Sequence, residues 1–216
     1  MAASEFSHIL GALVVLTLVI GAPLAFQYTW APFAEALFFA AIILTVTVGT
    51  KKLIAYALDA DVKHETWKVS QYWFGTEHRF KKEVPAGIIL SLLGTLIGLL
   101  IFRVPAYITA LLTYETKARK VRAAKRFGYN SYTEMTEWHN GLIGAAGIAA
   151  TRLLAVIAYF LPYNLEYLAK MAAYYTFWNM LPLSKLDGAQ IFFGSRVLYA
   201  ILGVLTLILT AYALLL

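Results

Sequence analysis

The sequence predicts an all-α polytopic membrane protein of five to six transmembrane helices, with a re-entrant or short hairpin and a small interfacial β-hairpin. Three observations lead there. The 216 residues are 61% hydrophobic, against roughly 45–50% in soluble domains. The apolar residues gather in stretches close to the about 20 needed to cross a bilayer. Fourteen of the 18 Lys and Arg sit in two polar segments between those stretches, where they act as topology signals and contact anionic lipid. The net charge of +6 is therefore read as a match to membrane lipid and not to nucleic acid. Cysteine is absent, which excludes disulfides and thiolate-bound metal. Residues 1–216 read as a single membrane domain.

The first expected span covers 9–26. The preceding MAASEFSH lacks the basic n-region of a secretory signal, so the span is expected to be retained, with His8 at its boundary. A second span covers 33–57. A polar segment from Thr50 to Glu83 follows, carrying Lys51, Lys52, Lys63, Lys68, Arg79, Lys81 and Lys82. Within it, residues 62–74 alternate weakly with period two, which suits a short strand or hairpin at the membrane surface. Trp67, Tyr72, Trp73 and Phe74 fit the headgroup layer.

The apolar stretch 84–102 is followed by Arg103-Val-Pro105 and a shorter run from Ala106 to Leu112. If 84–102 crosses, the two basic segments flanking it face opposite sides, against the positive-inside tendency. If 84–112 enters and returns, both lie on the cytoplasmic side. The second arrangement, with the N-terminus inside and five full spans, is preferred over six spans with the N-terminus outside. Thr116 to Arg126 is basic and reads as a surface helix. Spans at 141–161, 166–184 and 191–216 complete the chain. Trp138 and His139 anchor the start of the first of these. Its small residues, Gly141 to Ala150, permit close helix approach, as do Gly94 and Gly98.

The segment Asn179-Met-Leu-Pro-Leu-Ser-Lys-Leu-Asp187-Gly188 interrupts this pattern. Pro182 removes a backbone donor and disfavours helix for Leu181. Broken helix at membrane depth needs surrounding protein or water to satisfy its backbone, so Asp187 is expected to face an interior site. Arg152 lies near the centre of the 141–161 span, where an unpaired Arg costs at least about 2.5–3.5 kcal/mol. It therefore calls for a partner, with Asp187 or the Asp59/Asp61 pair as candidates.

Asn179, Pro182, Leu186, Asp187 and Gly188 resemble the N-x-x-P…[LM]-D-G motif of the site-2 protease family of intramembrane zinc metalloproteases. The span around Gly147 resembles that family's GPxxN element, with Thr151 in place of Asn and no Pro. The resemblance covers residues 40–190. It implies a site-2-protease-like core in which Asp187 is the third zinc ligand. The HExxH that supplies the family's other ligands and its base is missing: Gly49, Thr50 and Leu53 stand where His, Glu and His are expected. His64-Glu65-Thr-Trp-Lys68 and Glu77-His78 offer a displaced set, His64, His78 and Asp187 with Glu65 as base, built from suitable zinc donors.

Three functional readings follow. The first is a non-catalytic relative that keeps Asn179, Pro182, Asp187, Gly188, Gly147, Thr151 and Arg152 as a structural or substrate-holding site. It would need no cofactor and would bind a transmembrane helix of another protein. The second is an active intramembrane metalloprotease with zinc on His64, His78 and Asp187. The third is a transporter or channel lined by Asp187 and Arg152, although the sequence lacks a visible repeat of the kind many transporters show. The preferred topology puts the Asp187 motif near the cytoplasmic side.

Overall fold

The computed structural model describes residues 2–25, 31–71, 79–102, 107–121, 131–132, 135–161 and 165–215. Helices dominate. Four are long and apolar enough to cross a bilayer: α1 (Ala2–Ala25), α2 (Ala31–Ala57), α4 (Glu137–Phe160) and α7 (Arg196–Leu215). The shorter helices are α3 (Ala86–Ile97), which continues into a π-helical turn at Gly98–Phe102, α5 (Glu166–Met180) and α6 (Asp187–Gly194). α4 is central and packs against α2, α5 and α6, while α1 backs onto α2 and α5 onto α7. The main core gathers Leu16, Ile20, Ile43, Ala155, Met171 and Ala172 from four of these helices.

Two expected spans differ from the prediction. The stretch 166–184 holds a helix of 15 residues, about 22 Å long and short of the roughly 30 Å hydrocarbon core. Pro182 sets this limit, because the chain must leave helix before it: Leu181 is already extended, at ψ 134°. The stretch 191–216 is two helices, broken where Ser195 is extended, at φ −161° and ψ 114°.

The strands also rearrange the expectation. The short strand expected within 62–74 forms as β1 (Ala60–Thr66), but its antiparallel partner is the distant β4 (Leu112–Ala118), not a neighbouring strand of a local hairpin. β2 (Val69–Gln71) pairs with β3 (Arg79–Val84), and β5 (Lys120–Val121) with β6 (Ser131–Tyr132). The surface helix expected at Thr116–Arg126 is strand over its described part. Its Thr and Val residues suit a pleated surface, and β1 supplies the hydrogen bonds that a free surface helix would have to make alone.

The segment 84–112 leaves from and comes back to one place. The Trp67 carbonyl accepts from Gly87 N–H at 3.0 Å, and Trp67 N–H donates to the Leu111 carbonyl at 2.9 Å. A Cβ on Gly87 would meet the Leu111 oxygen at 2.9 Å, and one on Gly94 would meet the Ile108 side chain at 2.3 Å. These glycines let the returning chain lie against α3, so Gly94 serves packing within the chain.

Candidate functional site

The buried centre forms where α2, α4 and the Asp187 turn meet. Thr47 and Lys51 lie one turn apart on α2, opposite Gly147 and Thr151 on the antiparallel α4. The Thr47 and Thr151 hydroxyls are 2.8 Å apart, and each lies 2.8 Å from the carbonyl four residues before it, so that one hydroxyl proton can bridge the pair while the other goes to a carbonyl. The Lys51 stem runs over Gly147, where a Cβ would lie 2.5 Å from Lys51 Cε. Gly147 is thus the gap that admits a lysine between two helices.

Lys51 reaches Asp187. Its Nζ lies 2.7 Å from Oδ1 and 2.6 Å from Oδ2, and only the Oδ1 contact has hydrogen-bond geometry. Lys51 is 2% exposed and Asp187 is fully buried. The Tyr114 ring of β4 covers the ammonium, with its centroid 4.7 Å from Nζ. Tyr114 is itself fixed on both sides. Its hydroxyl donates to the Asn140 carbonyl at 2.7 Å, and its carbonyl accepts from Gln190 at 3.0 Å. Burial, followed by the Asp187 charge, raises the Tyr114 phenol well above its ordinary pKa, so it remains a neutral donor.

The turn that presents Asp187 is shaped by backbone sterics. Asn179, in the last turn of α5, turns its side-chain amide back to donate to the Tyr175 carbonyl at 2.8 Å. After Pro182, Ser184 takes φ 51°, a conformation that is uncommon outside glycine. Gly188 then passes so close to the end of α5 that a Cβ would sit 2.0 Å from the Met180 oxygen. Asp187 opens α6, where a carboxylate is favoured by the N-terminal end of the helix dipole.

Arg152 does not pair with Asp187, nor with Asp59 or Asp61. Its Nη2 donates to the Leu202 carbonyl at 2.8 Å and to the Thr206 hydroxyl at 2.6 Å, both on α7. Asp61 is held by Arg119. The reason is helical phase: Thr151 faces α2 and the site, and the next residue is turned about 100° away, toward α7.

Of the displaced metal set, the structure places His64, Glu65 and Asp187, and among the described residues His64 and Asp187 have different partners. His64 and Glu65 are consecutive in β1, and consecutive strand residues point to opposite faces. His64 is fully buried, and its Nδ1 lies 3.2 Å from Glu5 Oε1 on α1. Glu65 lies on the other face and binds Lys63 at 2.5 Å. His78 falls outside the described residues. Burial, and next the charge of Lys51, push the His64 imidazole down to about 3. Among the described residues no group of three or more His, Asp or Glu could hold a metal. The donor set at Asp187 does not fit zinc, since its neighbour is a cationic ammonium and Gly49, Thr50 and Leu53 offer neither imidazole nor carboxylate. His139 instead completes a capping box: its N–H donates to Thr136 Oγ1, and its Nδ1 accepts from the Thr136 N–H.

Sequence reasoning missed Thr47, Tyr114 and Lys51, the last having been placed in the polar segment. The available signal was spacing, because Ile43, Thr47, Lys51 and Ala55 recur every fourth residue and all are buried. Beside the site, a cleft of about 460 Å³ opens between Tyr114, Asn140, Lys185, Gln190 and Phe193. Comparison with protein-family models, with curated proteins and with solved structures finds no match.

Proposed function

We propose that this chain is a multi-pass membrane protein with a site-2-protease-like core, and that it is a non-catalytic member. It holds a transmembrane segment or partner without cutting it. The Lys51–Asp187 pair carries this reading. In the family the resemblance points to, the Asp of the D-G motif binds zinc. Here a lysine ammonium touches both of its oxygens and supplies the positive charge a metal would bring, but an ammonium cannot activate water as a Lewis acid. Breaking a buried pair leaves an uncompensated charge, so the pair fixes the α2, α4 and α6 junction. The return of the 84–112 segment to Trp67 supports a re-entrant hairpin, with the Asp187 motif on the cytoplasmic side. The cleft beside Tyr114 is where a partner segment would lie.

The test is elemental analysis of protein purified without chelator, wild type beside Asp187→Ala. The expected result is no zinc in either. Near one zinc per chain, lost in the variant, would overturn the reading in favour of a metalloprotease with unconventional ligands.

A further inference from the structure

Arg152 has no described counter-ion. At about 1.5 Å per residue its Cα lies about 22 Å from the Glu137 end of α4 and about 12 Å from the Phe160 end. Helical side chains lean toward the N-terminus, which carries the guanidinium further toward the middle of the helix. Two oxygens of α7 satisfy Nη2, and Nε is buried without a partner. The side chain is half-buried, and Ala149, Val156 and Leu205 beside it are exposed. None of the described ion pairs includes it. An intramembrane Arg is costly and pairs as a rule. Hydrogen bonds to neutral oxygens leave its charge uncompensated.

We infer that the α4/α7 face around Arg152 is a docking surface for a transmembrane helix that carries a carboxylate at mid-depth. A lipid phosphate is the wrong source, because headgroups lie about 15 Å from the midplane, beyond the reach of this side chain. A second copy of the chain is also unsuitable. The described acidic residues of its long helices, Glu5, Glu35 and Glu137, lie at or near helix starts, and Asp187 is already paired with Lys51. The complement is an Asp or Glu within an apolar partner helix, placed against the small and aliphatic residues flanking Arg152. This surface is a different face of α4 from the Lys51–Asp187 site and goes beyond the reading given for that site.

The experiment measures energy transfer between labelled protein and a poly-leucine transmembrane peptide in neutral phosphatidylcholine vesicles. The peptide carries Leu, Asn or Asp at its centre. Interhelical polar contacts of this kind correspond to about a tenfold gain in association. The expected result is that the Asp peptide associates about tenfold more tightly than the other two, and that Arg152→Gln removes the difference. Equal association of the three peptides overturns the inference, as does an Asn peptide that equals the Asp one, since hydrogen bonding would then suffice. Loss of the Asp advantage on adding anionic phospholipid also overturns it, by assigning Arg152 to lipid. If Arg152→Gln fails to fold, the three peptides on wild-type protein still decide. Persistence of the Asp advantage in Lys51→Met separates this surface from the Asp187 site, whose own reading stands or falls on zinc content.

Discussion

Removing the Lys51 ammonium is the sharpest test of the buried centre. Lys51→Met keeps the length of the stem over Gly147 but strips the charge from beside Asp187, which is fully buried. Breaking one side of such a pair costs about 3–5 kcal/mol. For a chain of this size 1 kcal/mol corresponds to about 2–4 °C in Tm, so the variant is expected to melt about 6–20 °C lower in detergent. Asp187→Leu alone leaves the ammonium buried without a carboxylate and is expected to fall by a similar amount. The double variant Lys51→Met/Asp187→Leu replaces the pair with apolar groups of similar volume, and such replacements are often neutral or stabilising. It is therefore expected to recover most of the loss. Thermal unfolding followed by tryptophan fluorescence on all four proteins yields the coupling directly. Single losses under about 2 °C, or a double variant that falls by the sum of the two, would refute the argument that the pair is a coupled, desolvated unit.

Two further outcomes follow from the geometry. Gly188→Ala puts a methyl 2.0 Å from the Met180 oxygen, a backbone atom that cannot swing aside; a loss of about 3 kcal/mol or more is expected, read as a large fall in Tm or in folded yield, and near-wild-type stability would show that the turn is not as close as described. His64 gives a pH dependence. Its folded pKa of about 3 lies below the ordinary 6.5, so the unfolded chain takes up the proton first as pH falls. The stability it contributes is complete above about pH 6.5 and is lost progressively toward pH 3, by up to about 1.4 kcal/mol per unit. Glu5 of α1, with Lys51 and Lys52 of α2, forms its charged surroundings. The Tm of wild type is expected to fall more steeply between pH 7 and 4.5 than that of His64→Asn; parallel curves would count against a buried neutral imidazole.

The amino-acid sequence by itself determined the helical, apolar character of the chain, the break at Pro182 and the inward placement of Asp187. Each rests on a local rule: hydrophobic length, a missing backbone donor, and the cost of charge in an apolar setting. The charge on both flanks of residues 84–112 suggested a hairpin, and the ends of that segment do meet at Trp67, which bonds both Gly87 and Leu111. Only the tertiary structure decided the partners. Lys51 appeared to belong to a basic loop, since nothing in its neighbours shows that Gly147, almost a hundred residues on, leaves room for its stem. Arg152 and Thr151 are adjacent in sequence yet face different helices, so a one-residue difference in helical phase sends the arginine to α7 and leaves Asp187 to the lysine. β1 and β4 pair across the inserted 84–112 segment, and a sequence period cannot show which distant strand completes a sheet. Local chemistry is written residue by residue, whereas a buried ion pair is a relation between helices and exists only once they are packed.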